Sequence, residues 1–266
     1  MIKLYDELER ALLEPDPVIK TELVFRLEQN WVQNQLSLES TRSPLDLDDP
    51  GRPAHPELVS PRELPKRSSN TPEGRIILLH AFAHIEFNAI NIALDAVYRF
   101  RDMPMDYNSD WIKVASDESR HFRLLSDYLE TLGSGYGAHP AHNGLWDMVC
   151  KTRHDGLHRM ALVPRVMEAR GLDVTPGMIE KFNQADDSAA VLILQTIYKD
   201  EIDHVRIGNR WYQYLCDQRK VDSASTFKQL VQHYLNGKLR GPFNHPARLE
   251  AGFNELELEQ LEAGFE

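Results

Sequence analysis

Four long stretches of the chain repeat apolar residues at helical spacing, and Pro- or Gly-containing breaks separate them. The first is predicted from about Pro72 to Phe100, with Leu78, Leu79, Ala83, Ile90 and Ala93 on its apolar side. Thr71 suits its N-cap, Pro72 its first turn and Glu73 the positive end of the helix dipole. A second helix is predicted from Ser109 to Leu132, stopped by Gly133-Ser134-Gly135. A third is predicted from Gly144 to Arg170, disturbed near Pro164 and closed by Gly171, and Thr175-Pro176 restarts the chain. The fourth runs from about Asp186 to Asp217, with Leu192, Ile193, Ile197, Val205 and Trp211 as core.

The flanks read differently. Residues 1–40 suggest two short helices around Pro15-Asp16-Pro17, the second carrying Leu23, Val24, Phe25, Leu27 and Trp31. Residues 42–72 hold Pro44, Pro50, Pro53, Pro56, Pro61, Pro65 and Pro72 with little periodicity, which reads as an extended arm. Its Leu45, Leu47, Leu58, Val59 and Leu64 favour an arm laid over the helices rather than a free linker. A further helix is predicted near 224–235, then a coil tail after Gly241 with a short acidic helix near Leu256. No strand pattern stands out. The expected organisation is an N-terminal part (1–72), a helical bundle (73–217) packed around one core, and a C-terminal helix and tail (218–266).

Two short strings on the second and fourth helices are near copies: Asp117-Glu118-Ser119-Arg120-His121 and Asp200-Glu201-Ile202-Asp203-His204. A Glu and a His three residues apart share one helix face, so a single turn can offer a carboxylate and an imidazole to one metal. Each string has an upstream acid in an apolar helix. Glu86 is the sole acid between Glu73 and Asp95, and Glu168 the sole acid between Asp155 and Asp173. The intervals Glu86 to Glu118 and Glu168 to Glu201 are 32 and 33 residues. Pro164 perturbs the helix of Glu168, which leaves Glu180 as the alternative for that position. Two helix pairs with one ligand layout, joined by a long crossover, predict an all-α four-helix bundle around a dinuclear site. A single Glu-x-x-His is more often a solvated pair than a ligand set; the repeat with matched upstream acids is what points to metal.

Four carboxylates and two histidines without thiolate suit two iron ions, or a manganese–iron pair. Two divalent cations balance four carboxylates; without metal the buried acids repel one another or take up protons. Asp117 and Asp200 are expected to reach the histidine of the opposite string, Asp117 to His204 and Asp200 to His121, because bound imidazoles usually donate their second N–H to a carboxylate. Tyr198 shares the face of Glu201; it reads first as a core tyrosine with a satisfied hydroxyl and second as a redox group near the metals. His80 and His84 point away from Glu86 and read as structural or interface histidines, with a homodimer left open. His139, His142, His154 and His158 show no matched pattern, and Arg120 and Arg206 read as partners of nearby acids.

The net charge of -11 disfavours nonspecific binding to nucleic acid or anionic membrane. No run of 18 apolar residues marks a membrane span, and the acidic start lacks a signal-peptide core. Cys150 and Cys216 read as free thiols of a reducing cytoplasm.

The chain resembles the ferritin-like superfamily of carboxylate-bridged dimetal proteins. More closely it resembles the bacterial family catalogued as domain of unknown function 455. Pro50-Gly51-Arg52-Pro53, Pro61-Arg62-Glu63-Leu64-Pro65, Pro72-Glu73-Gly74-Arg75 and His80 through Glu86 carry the likeness. So do the two Asp-Glu-x-x-His strings, Pro164 through Asp173, Gly208-Asn209-Arg210-Trp211 and Gly241-Pro242-Phe243-Asn244. The resemblance implies the bundle and the dimetal site and favours Glu168 over Glu180; it supplies no substrate. Its ligand count is similar to that of the oxygen-activating branch. The resulting expectation is an oxidoreductase that uses O2, a small-molecule substrate and a separate electron donor. Iron storage or detoxification, and a metal-stabilised protein without turnover, are the alternatives.

Overall fold

In the computed structural model, which describes residues 2–40, 42–65 and 68–264, Thr71 caps the first long helix where the sequence places it. Its hydroxyl accepts from Gly74 N at 3.1 Å, and Pro72 occupies the first turn. The fold is mostly helical, and the chain divides into two compact units, Met1–Cys150 and Lys151–Glu266.

The first unit is built on a helical hairpin. Helices α1 (Leu4–Leu13) and α2 (Pro17–Val32) flank it, α3 is Pro72–Arg99 and α4 is Met105–Thr131. Asp16 makes the predicted break by accepting from Val18 N and Ile19 N at the start of α2. Helix α4 begins four residues earlier than predicted, directly after Pro104. It ends at the predicted glycine, Gly133, which adopts φ +74°. Helices α3 and α4 pack together, α1 against α3 and α2 against α4. A pair of two-residue strands, β1 (Ile2–Lys3) and β2 (Leu36–Ser37), is parallel and too short to leave a sequence pattern.

Helix α3 is long and apolar enough to cross a membrane by length and composition alone, but 67% of its most apolar window is buried inside the protein. It also buries Asn88, Asn91 and Asp95, the last paired with Arg99 at 2.9 Å, as befits a core helix.

The Pro-rich arm lies on this unit, with positions 66 and 67 outside the described residues. Backbone groups, more than its leucines, hold it. Leu45 N donates to Tyr98 Oη, Arg99 and Trp146 donate to Leu45 O and Asp48 O, and Val59 N donates to Ala141 O. Gly51 N donates to Leu12 O at 2.6 Å, an approach so close that a Cβ at Gly51 would meet the Leu13 carbonyl at 2.3 Å. Lys20 completes the capping of α1. Its fully buried ammonium donates to Ala11 O, Leu12 O and Asn91 Oδ1 at 2.7, 3.2 and 2.7 Å. These carbonyls have no partner within α1, and the negative end of the helix dipole favours the cation. Helix α5 (Gly144–Lys151) closes the unit.

The second unit departs most from the sequence reading. The single helix predicted over 144–170 is broken at 152–155, because Asp155 caps a new helix, α6 (Gly156–Leu162), by accepting from Leu157 N and His158 N. Pro164 then opens a π-helical turn, Val163–Glu168, in which Ala169 N reaches back to Pro164 O. Helix α7 (Ala169–Asn183) runs through both Gly171 and Pro176, so Gly171 closes nothing and Thr175-Pro176 does not restart the chain. Pro176 has no N–H for the carbonyl four residues back, Leu172; Asn244 Nδ2 donates to that carbonyl at 3.0 Å instead. Helix α8 (Ser188–Arg219) packs on the π-turn and on α7. Ile197, Val205 and Trp211 are in its core as predicted, whereas Leu192 is 65% exposed and Ile193 is half-buried. After α9 (Ser223–Leu235), the tail predicted as coil forms α10 (His245–Glu250) before the expected acidic helix, α11 (Glu255–Ala263). Asn244 caps α10, and Asn254 with Glu257 forms a capping box at α11.

Candidate metal centre

Each unit presents one upstream Glu and one Glu-x-x-His turn. In the first, α3 supplies Glu86 while α4 supplies Glu118 and His121. All three are buried, and one donor atom from each lies within 4.8 Å of the others. His121 Nδ1 is 3.3 Å from Oε2 of both Glu86 and Glu118. Burial first, and the Glu118 carboxylate second, push Glu86 well above the usual carboxylate range; the contact with His121 opposes them. Two acids sharing a dry pocket with one imidazole are costly in a protein without a cation. The donor set of hard carboxylate oxygens and one borderline nitrogen fits a divalent transition metal such as iron or manganese.

In the second unit, α8 supplies Glu201 and the fully buried His204, with His204 Nδ1 3.6 Å from Glu201 Oε1. Glu168 closes the π-turn and has one fully buried carboxylate oxygen. The alternative, Glu180, is exposed and accepts from Gln184 Nε2 at 2.8 Å on the surface of α7. It is therefore less suited to an interior site than Glu168.

Among the remaining predicted residues, Asp117 is held on its own helix by Lys113 at 2.5 Å and Arg120 at 3.2 Å, and Asp200 is half-buried. Tyr198 is half-buried. Its hydroxyl accepts from Asn244 Nδ2 at 2.9 Å, and burial raises its pKa. The first reading of this residue, a tyrosine with a satisfied hydroxyl, describes that contact. Arg206 pairs with Asp203, so both motif arginines bind acids of their own helices. His84 contacts Tyr136 Oη at 3.0 Å and His142 O at 3.2 Å, and His80 Nε2 accepts from Gly137 N at 2.9 Å. Both are structural histidines. Cys150 and Cys216 are free thiols.

Arg165 and Glu257 belong to neither Asp-Glu-x-x-His string. They form a buried ion pair of 2.5 Å beneath the π-turn. Arg165 beside Pro164 was a visible signal; its partner, 92 positions away, was not.

Residues 13–259 match the family described as Protein of unknown function (DUF455). An uncharacterized protein of Haemophilus influenzae is 45% identical over 269 residues, covering 97% of this chain and 93% of that protein. No solved structure matches.

Proposed function

The chain belongs to the DUF455 family, and on that premise we propose that it is a carboxylate-bridged dimetal protein of ferritin-like, four-helix-bundle build. The ligands in this reading are Glu86, Glu118 and His121 of the first unit and Glu168, Glu201 and His204 of the second. The observation that carries this reading is the buried trio of the first unit, whose donor atoms lie within 4.8 Å of one another. The repeated motif in the second unit, buried to the same degree at His204, supports the other half.

Iron is the metal that the donor set suits best, with manganese–iron as the alternative. Held by these carboxylates and imidazoles, a reduced iron pair would supply electrons to O2 and so permit oxidation of a small organic substrate. Hydroxylation of a C–H bond would place one oxygen atom in the product and release the other as water, with two electrons and two protons drawn from a separate donor. The chain's own contribution is to hold the carboxylates and imidazoles in fixed geometry inside a core that excludes water. We place this chemistry in the cytoplasm, in keeping with the free thiols.

The test is metal analysis followed by exposure of Fe(II)-loaded protein to O2 with a chemical reductant. Two irons per chain and sustained O2 consumption support the oxidoreductase. Mineral growth beyond two irons points to storage, and stable binding of two ions without O2 uptake points to a structural metal.

A further inference from the structure

Glu168 sits at the end of a π-turn, a rare form found most often at functional sites, and packing holds this one in place. Support comes from two sides within the second unit. On one, Pro164 packs directly on Gly208 of α8. On the other, Arg165 projects into an aromatic cage, its guanidinium 4.5 Å from the Tyr212 ring, 4.6 Å from Phe227 and 4.8 Å from Phe253. The cage is closed by Glu257 of α11, whose Oε1 lies 2.5 Å from Arg165 Nη2. The two side chains are only 4% and 8% exposed. Glu257 is doubly engaged, because its other carboxylate oxygen accepts from Asn254 N to close the capping box.

We infer that the C-terminal segment is a clamp on the proposed centre, and that Arg165 and Glu257 are positioning residues for Glu168. A buried charge is tolerated only while its partner stays in place. If Glu257 leaves, Arg165 must move toward water, and the turn that carries it moves too. Glu168 is three residues further along the same turn, so its carboxylate is displaced with it. Arg248 of α10 ties the segment down independently, through a two-pronged pair with Asp173 at 2.8 Å on each arm. The segment is thus fastened both to the turn and to the helix that follows it.

This inference rests on the reading of Glu168 as a ligand, so the experiment separates the two. Full-length wild type, Glu257→Gln, Glu168→Gln and the double variant are titrated anaerobically with Fe(II), at a temperature at which circular dichroism shows each to be folded. Glu257→Gln is expected to keep the first ion within twofold of wild type and to weaken the second by about tenfold or more, the usual effect of losing a residue that orients a ligand. In the Glu168→Gln background the same change should have no further effect on metal, a non-additivity that a general loss of stability would not produce. If folded Glu257→Gln binds both ions as wild type does, the clamp is overturned and the ligand reading stands. If Glu168→Gln binds both ions as wild type does, the ligand reading falls and the clamp with it. Should Glu257→Gln fail to fold, Phe253→Leu opens the cage without stranding a charge. A smaller loss confined to the second ion then supports the clamp, and unchanged binding overturns it.

Discussion

Gly208 faces Pro164 so closely that a Cβ on the glycine would lie 2.2 Å from the proline Cβ. The contact seats the π-turn on α8, one turn beyond His204, and admits no other residue without a shift of backbone. Gly208→Ala is therefore expected to destabilise the second unit by about 1–3 kcal/mol or more, as overpacking of a tight core does. Chemical denaturation measures it, and reduced metal content per chain should accompany the loss. Wild-type stability and metal content would show that the turn is not seated by this contact.

Glu86 shows how metal and fold are coupled. Burial and the Glu118 charge raise its folded pKa above the unfolded value, so its contribution to stability is present at low pH and lost as pH rises through the folded value. In metal-free protein, Glu86→Gln should therefore raise the melting temperature at pH 8 relative to wild type and flatten its decline with pH. Addition of Fe(II) or Mn(II) should reverse the order, because wild type gains a bound metal and the variant does not. A variant that is stabilised by metal as much as wild type would remove Glu86 from the ligand set.

Lys20 makes a prediction of opposite sign. Burial lowers its pKa to about 7, with Glu14 opposing. The unfolded chain then holds one more proton than the folded chain between about pH 7 and 10.4, and this lysine's part of the stability rises with pH by about 1.4 kcal/mol per unit. That part is complete above the unfolded pKa and is lost as pH falls toward the folded one. Lys20→Met should remove this component from a stability-versus-pH curve, and an unchanged slope would contradict it.

Asn244 occupies three roles at once: cap of α10, donor to the carbonyl that Pro176 leaves open, and donor to Tyr198. Asn244→Ala should cost about 1–3 kcal/mol, the range for stranding a buried acceptor. Pairing it with Pro176→Ala, which restores the helical N–H, should recover part of the loss in the same denaturation experiment. Full additivity of the two changes would rule out the shared carbonyl.

Much of the helical frame was legible in the chain. Thr71-Pro72 and Gly133 bound helices because they act locally, through a side-chain cap and a positive φ that any reader of the sequence can anticipate. Glu118 with His121, and Glu201 with His204, were legible for the same reason: three residues along a helix is a fixed geometry. The failures were also physical. Gly171 looked like a stop and Thr175-Pro176 like a restart, yet α7 runs through both, and a side chain 68 positions after Pro176 donates to the carbonyl that the proline leaves open. Leu192 looked like core because its neighbours are apolar, but helix phase puts it outward.

By itself, then, the sequence determined which carboxylates and imidazoles share a helical turn, since spacing along a helix is a property of the local backbone. Only the tertiary structure decided how those groups are held. It set Glu180 on the surface and buried one carboxylate oxygen of Glu168, turned the chain at Pro164 into a π-turn, and set Arg165 against Glu257 across 92 positions. Those choices depend on packing and on the pairing of buried charge, which reward contacts between residues far apart in the chain and leave no local mark on it.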